Sequence, residues 1–483
     1  MGEWCGHNLR DIAGWKASGL SMTTTSDECA KMFDASLRQL ISWIRCEQLG
    51  GIDETMTRML LADPLALIPR AFAVALKTLA TSHSYRIDKE YQEEVETLLS
   101  DAKAHPTASE REKQHCYAAC LYATGHKARA CVIWEEILRE HPNDMMAAKF
   151  AHDAYFFMGE SEQKRDSIAR IIDKVPLEEP CASYLHGMYA FGLEECGEYK
   201  KAEEHAITGL SLQRQDCWAT HARAHCMEMN GRTREGREFL ENTVADWEPC
   251  YMLATHNYWH NALYYYEDGD YGSALTIFDE KIAPRQAASH GLLDYVDAAS
   301  LLMRLELEGV NVGEERWKTL FSPDKHVGDH VILFNDVHFC PALIKSEKDS
   351  IEKKLHASLA RYISDQPLGI YGDNQVISHD VAPLLYEGMR SYAKKEWENS
   401  AKLIAKCHSQ IKRIGGSTAQ RDVFTQVLLN SCLNTKKKPY LDLGLEFLNR
   451  RDQYKFNSGI SQRMRPKFEK GLLESKSSSF KLF

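Results

Sequence analysis

The sequence predicts an all-α protein: an α-solenoid of stacked helical hairpins, curved around a concave groove. Three observations predict it. Apolar residues recur at helical spacing along most of the chain. A helix–turn–helix unit of about 34 residues repeats. A glycine marks the turn inside each unit. The clearest copy spans residues 255–280, THNYWHNALYYYEDGDYGSALTIFDE, in which two helices meet at Asp268-Gly269-Asp270.

Residues 1–22 have no strong periodicity. Thr25 and Glu28 have the spacing of a capping box, Thr25 as cap and Glu28 reaching back. The helix they open buries Met32, Phe33, Leu37, Leu40, Ile41 and Trp43-Ile44 and is expected to stop at Gly50-Gly51. Further helices are expected through Met56, Met59 and Leu60 up to Pro64, then over 65–81 and 89–102. Gly125, Gly159, Gly197, Gly231 and Gly269 follow at separations of 34, 38, 34 and 38 residues. Glycine suits the left-handed backbone that ends many helices. Small and bulky landmarks recur after them: Ala130 and Trp134, Ala202 and Ala206, Ala274 and Phe278. Gly231 heads the weakest copy, with Gly236 in the small-residue slot.

These are units of the tetratricopeptide type, five of them over 111–288, with helical hairpins over 1–110 as a cap. Degenerate helical repeats are expected over 289–460. They include an apolar helix over 292–307, another starting near Asp329, and a charged amphipathic one over 347–363. Residues 364–380, with QPLGIYGDNQ, read as a long loop, functional or disordered. The serine- and lysine-rich tail over 461–483 reads as disordered.

Composition excludes several classes. The net charge is −10, and outside the tail no basic stripe marks a nucleic-acid binder. No window approaches 18 uncharged apolar residues, so no membrane span is expected. The 14 cysteines lie singly, without a Cys-x-x-Cys pair, and no apolar leader opens the chain. Reduced thiols in the cytoplasm are the expectation.

The strings KFAHDAYFFMG (149–159), HNYWHNALYYYEDGDYGSALTIFD (256–279), LFNDVHF (333–339) and GGSTAQRDVF (415–424) resemble the tetratricopeptide repeat protein 38 family. The resemblance runs from about Asp11 to the 460s. It implies an all-helical repeat protein and brings no catalytic residues with it.

Function is therefore sought in the polar residues of the first helix of each hairpin, which lines the concave face in such repeats. Counted from the turn glycines, Asp153, His221, His225 and Glu228 fall at groove positions, with His256 and His260 on an adjoining part of that face. Asp294 and Asp297 extend the set, and Asn335, Asp336, His338, Arg421 and Asp422 lie in the other polar strings. His221/His225 and His256/His260 each place two imidazoles on one helical face, a geometry that suits a divalent metal such as zinc. Neither pair is the His-Glu-x-x-His of zinc proteases, because Ala222 and Asn257 follow the first histidines. Hydrogen bonding between helices and metal-free acid–base chemistry fit the same spacing. Arg421-Asp422 suits either an anion clamp or an internal ion pair. Two functions follow: a binding scaffold holding a peptide or small polar ligand in the groove, or a metal-assisted hydrolase using the paired histidines.

Overall fold

All five repeat glycines adopt positive φ, from 66° at Gly231 to 89° at Gly125, as the turn pattern requires. At Gly159 this lets the backbone N–H close the preceding helix onto the carbonyls of Tyr155 and Phe156. The computed structural model describes residues 3–79, 81 and 83–480, and among them there are helices and turns but no strand. The architecture is all-α, built from consecutive helices that pack on each other as hairpins.

The chain divides into two compact units. The first comprises residues 1–223, 243–254 and 369–374. Its hairpins include Glu110–Ala123 with Lys127–Glu140, Met145–Met158 with Ser161–Ala169, and Tyr184–Glu195 with Tyr199–Leu212. An aromatic chain runs through its core, Phe33 to Phe72 to Phe150 to Trp134 to Tyr122, with ring centroids 5.5–5.9 Å apart. Offset and edge contacts of this kind add to the apolar area they bury.

The second unit comprises residues 224–242, 255–368 and 375–483. Here the helix Leu292–Leu307 packs against both Leu333–Lys345 and Thr418–Thr435. The last of these packs in turn on Lys438–Arg451, which supports Gly459–Phe480. Gly236, the odd residue of the weakest repeat, has a packing reason. A Cβ there would collide with the ring of Tyr264, whose hydroxyl donates to the Ala224 carbonyl at 2.7 Å.

Several sequence-based expectations are corrected. The cap of the first long helix is Ser26, not Thr25; its side chain accepts from the Cys29 N–H. That helix ends at Ser42, where Trp43 turns left-handed at φ 54°, well before Gly50-Gly51. The helix expected near Asp329 starts at Leu333, because His330 is left-handed at φ 47° and Ile332 is extended. The loop expected over 364–380 is shorter, since a helix begins at Asp373. The tail expected to be disordered is helical to Phe480, with Met464 and Phe468 buried. Residues 481–483 of that tail lie outside the described residues.

One buried carboxyl of the first unit makes folding pH-dependent. Asp216 is fully buried and caps the helix Cys217–Met229, accepting from the Ala219 N–H at 3.0 Å. Burial pushes its pKa up to about 8 against the opposing effect of the cap hydrogen bonds. The folded state thus keeps the proton that the unfolded chain releases near its ordinary value of 3.8. Stability is accordingly lost as pH rises from about 4 to about 8 and then levels. Asp216→Asn keeps a capping oxygen and removes this cost. Thermal unfolding should show the variant more stable than the parent at pH 8, with the difference closing towards pH 4. The gain at pH 8 should be on the order of a few kcal/mol, since a tenfold change in proton affinity is worth about 1.4 kcal/mol.

Candidate functional site

The second unit brings the candidate histidines His225, His256 and His260 together. His225 comes from the helix Cys217–Met229, and His256 and His260 from Tyr251–Asp268. His256 and His260 share a face because they are four residues apart. Ring centroids of His225 and His260 lie 4.3 Å apart, and those of His256 and His260 4.7 Å. The potential ligand atoms of the three all lie within 4.8 Å of one another. His225 and His260 are fully buried, while the His256 side chain is 12% exposed.

Two carboxylates orient the rings. Glu228 Oε2 lies 2.8 Å from His260 Nδ1, while Glu228 Oε1 accepts from Lys455 Nζ at 2.6 Å. Asp297 Oδ2 lies 2.6 Å from His256 Nδ1, while Asp297 Oδ1 accepts from Gln420 Nε2 at 3.1 Å. Each carboxylate is an acceptor at both oxygens, so each Nδ1 is the donor. The lone pairs of His256 and His260 are thereby placed on the two Nε2 atoms, which face each other at 3.2 Å. Such a pair is satisfied by a shared proton or by a metal. For metal–nitrogen bonds of about 2.0–2.1 Å, the nitrogens of a tetrahedral site are about 3.3 Å apart. A carboxylate on the remote nitrogen of each imidazole is also the usual outer support of a metal-bound histidine.

The electrostatics keep the His260 ring neutral. Burial, the nearby His225 and the nearby His256 push the pKa of His260 down to about 3 against the pull of Glu228. Burial would push the Glu228 carboxyl up, but Lys455 and the His260 hydrogen bond outweigh it and hold it well below the usual carboxylate range. Trp259, the predicted core aromatic, is fully buried and stacks on His256 with centroids 5.1 Å apart.

The cluster stands on a buried charged network. Lys455 reaches Glu267 at 3.3 Å as well as Glu228. Arg451 forks onto both oxygens of Asp422 at 2.8 Å each, and donates to Ser458 and Ser461 at 2.8 and 2.7 Å. Arg304 donates to the Ala419 carbonyl at 2.6 Å and lies 3.8 Å from Asp422. Lys455, Arg451, Glu267 and Arg304 were not identified from the sequence. Charged residues read there as solvated surface, and Lys455 comes from a turn almost 200 residues beyond the histidines.

The remaining candidates have the following surroundings. His221 belongs to the first unit, where its ring meets the edge of Phe191 at 4.7 Å. Asp153, also in that unit, is buried in an ion pair with Lys149, whose ammonium lies between the rings of Trp43 and Trp218 at 4.8 and 4.4 Å. Asp294 accepts from Ser289 at 2.6 Å, and burial pushes its carboxyl up to about 6. His338 donates from Nδ1 to the Phe334 carbonyl at 2.7 Å and packs on Phe424, 5.1 Å away; burial pushes it down to about 4. Asn335 is buried on the same helix, and Asp336 pairs with His330. Arg421 and Asp422 each have other partners. Arg421 holds the Gly416 carbonyl and the Thr418 hydroxyl of its own helix start, and Asp422 is committed to Arg451. Of the thirteen candidates, His256 and Arg421 are partly exposed and the others are buried.

No family model matches the sequence. Among solved structures, a human IFIT1 dimer with PPP-AAAA is similar over 97% of this chain and 99% of that chain, at 13% identity and a TM-score of 0.36. A human IFIT1 dimer with m7Gppp-AAAA is similar over 98% and 100%, at 13% identity and a TM-score of 0.37. A monomeric IFIT1 mutant with Gppp-AAAA is similar over 97% and 99%, at 13% identity and a TM-score of 0.38. At these values the likeness is carried no further. None of the described helices is long and apolar enough to cross a membrane.

Proposed function

We propose that this chain belongs with the tetratricopeptide repeat protein 38 family and acts in the cytoplasm as a helical-repeat binding protein. Its centre is a divalent metal, such as zinc, held by His225, His256 and His260, and through the metal a small polar ligand. The observation that carries this reading is the pair of Nε2 atoms facing each other at 3.2 Å, each on a ring oriented by a carboxylate. A small ligand suits the centre better than a peptide, because only the His256 side of it is exposed. The fourteen cysteines lie singly, without a Cys-x-x-Cys pair, which accords with a reducing compartment.

A second reading makes the same centre a metal-assisted hydrolase. Three protein nitrogens leave a fourth position for water, as in catalytic zinc sites. A bound metal would supply a hydroxide near neutral pH, and His256, the most exposed ligand, would face the substrate.

Calorimetric titration of the untagged, chelator-treated protein with zinc tests both. One equivalent is expected to bind, and His256→Ala with His260→Ala to abolish it. Binding that is absent in the parent, or unchanged in the double variant, would contradict the proposal. Hydrolysis of a small ester that disappears on chelation and returns with zinc would single out the second reading.

A further inference from the structure

Away from the histidine cluster, the second unit carries another set of groups with catalytic geometry. His330 sits in the turn before the helix Leu333–Lys345, held left-handed at φ 47°. Asp336 lies in the first turn of that helix, and Ser358 on Asp349–Ser364, which packs against it. His330 Nδ1 lies 3.1 Å from Asp336 Oδ2, and His330 Nε2 lies 2.9 Å from Ser358 Oγ. Tyr362, one turn beyond Ser358, stacks on the imidazole with centroids 5.0 Å apart and planes 26° from parallel. Asp336 and His330 are buried, and Ser358 is partly exposed.

We propose that Ser358, His330 and Asp336 form a metal-independent acyl-transfer site for small carboxylic esters. Asp336 accepts from Nδ1 and so fixes the tautomer that leaves a lone pair on Nε2. That lone pair faces the serine hydroxyl, the member of the set that reaches solvent. An orienting carboxylate, a base and a hydroxyl in this order are recognised by geometry and role, whatever the fold. The packing is what a positioned base needs: the ring is fixed from below by Asp336 and across its face by Tyr362.

The reaction balances without a cofactor. Ser358 Oγ attacks the ester carbonyl carbon while Nε2 takes the hydroxyl proton. The tetrahedral adduct collapses, the C–O bond to the alcohol breaks, and the imidazolium gives its proton to the departing alkoxide. Water then repeats the sequence on the acyl-serine: its proton goes to Nε2, its oxygen to the acyl carbon, and the proton returns to Ser358 Oγ. Ester and water become acid and alcohol.

The test is labelling of the full chain with a fluorophosphonate probe in the presence of a chelator, read by mass spectrometry of the labelled peptide. Ser358 Oγ forms the P–O bond, fluoride leaves, and His330 takes the proton. Stoichiometric label on Ser358 is expected, with none on Ser358→Ala. In Asp336→Asn, the labelling rate should fall at least about 100-fold, the lower range for a positioned base, while the unfolding temperature of the unlabelled Ser358→Ala variant stays that of the parent. An unlabelled parent, label retained by Ser358→Ala, or an undiminished rate in Asp336→Asn would each overturn the assignment. Because the chelator is present throughout, failure here leaves the metal proposal untouched, and failure of the metal titration leaves this one untouched.

Discussion

Replacing Arg451 with alanine is expected to destabilise the second unit by about 3–5 kcal/mol, the range for breaking a buried ion pair from one side. Arg451 is fully buried, and its five donors are spent on both oxygens of Asp422, on Ser458 and Ser461, and at 3.4 Å on Glu267. Alanine would leave Asp422 ionised in the interior with Lys455 only at 4.0 Å and Arg304 at 3.8 Å. It would also release the two serines that fasten the start of the helix Gly459–Phe480. Burial acts to raise the Asp422 carboxyl, and Arg451 is the main cation that holds it below its ordinary range instead. Pairing Arg451→Met with Asp422→Asn removes cation and anion together and should recover much of the loss. Urea unfolding of the full chain measures both. A loss below about 1 kcal/mol for Arg451→Ala, the size expected of a surface pair, would mean the network is not the support described.

The second large effect concerns metal affinity without any change of ligand. Asp297→Asn should weaken zinc binding by about 10–100-fold, the usual cost of losing an outer-shell partner. Asp297 is 3% exposed and accepts from both His256 Nδ1 and Gln420 Nε2. An asparagine amide can turn its N–H towards His256 instead. The imidazole would then carry its proton on Nε2, the nitrogen that is required to bind. Competition against a chromophoric chelator gives the affinity, and unfolding of the metal-free variant gives the control. Unchanged affinity would show that Asp297 does not set the tautomer of His256.

How much of this was legible in the sequence differs by element. The five turn glycines were, because a positive φ is a local demand that composition records directly. The cap at residue 26 was missed by one position because Thr25 and Ser26 are chemically alike, and only the backbone decides between them. The long loop was overextended because Pro367, Gly369 and Gly372 precede a helix whose first residue, Asp373, looks like one more loop residue. The tail was the clearer oversight. Met464 and Phe468 continue a helical stripe that starts at Ile460, just ahead of the tail, and all three are buried beneath the polar composition that hid them.

The candidate site was legible to the same degree as its local spacing. His256 and His260 could be paired from four-residue periodicity, and Glu228 from its place one turn beyond His225. Nothing local marks Lys455 or Arg451, since their partners are brought in by tertiary packing of distant helices. His330 and Ser358 gave no signal either. They are 28 residues apart, and the left-handed turn that aims the imidazole is a property of the fold.

X-ray absorption at the zinc edge, on protein carrying one equivalent of metal, tests the central claim most directly. The account predicts a first shell dominated by three imidazole nitrogens at about 2.0–2.1 Å, lost in the His256→Ala, His260→Ala variant. An all-oxygen shell, or an identical spectrum from that variant, would contradict it.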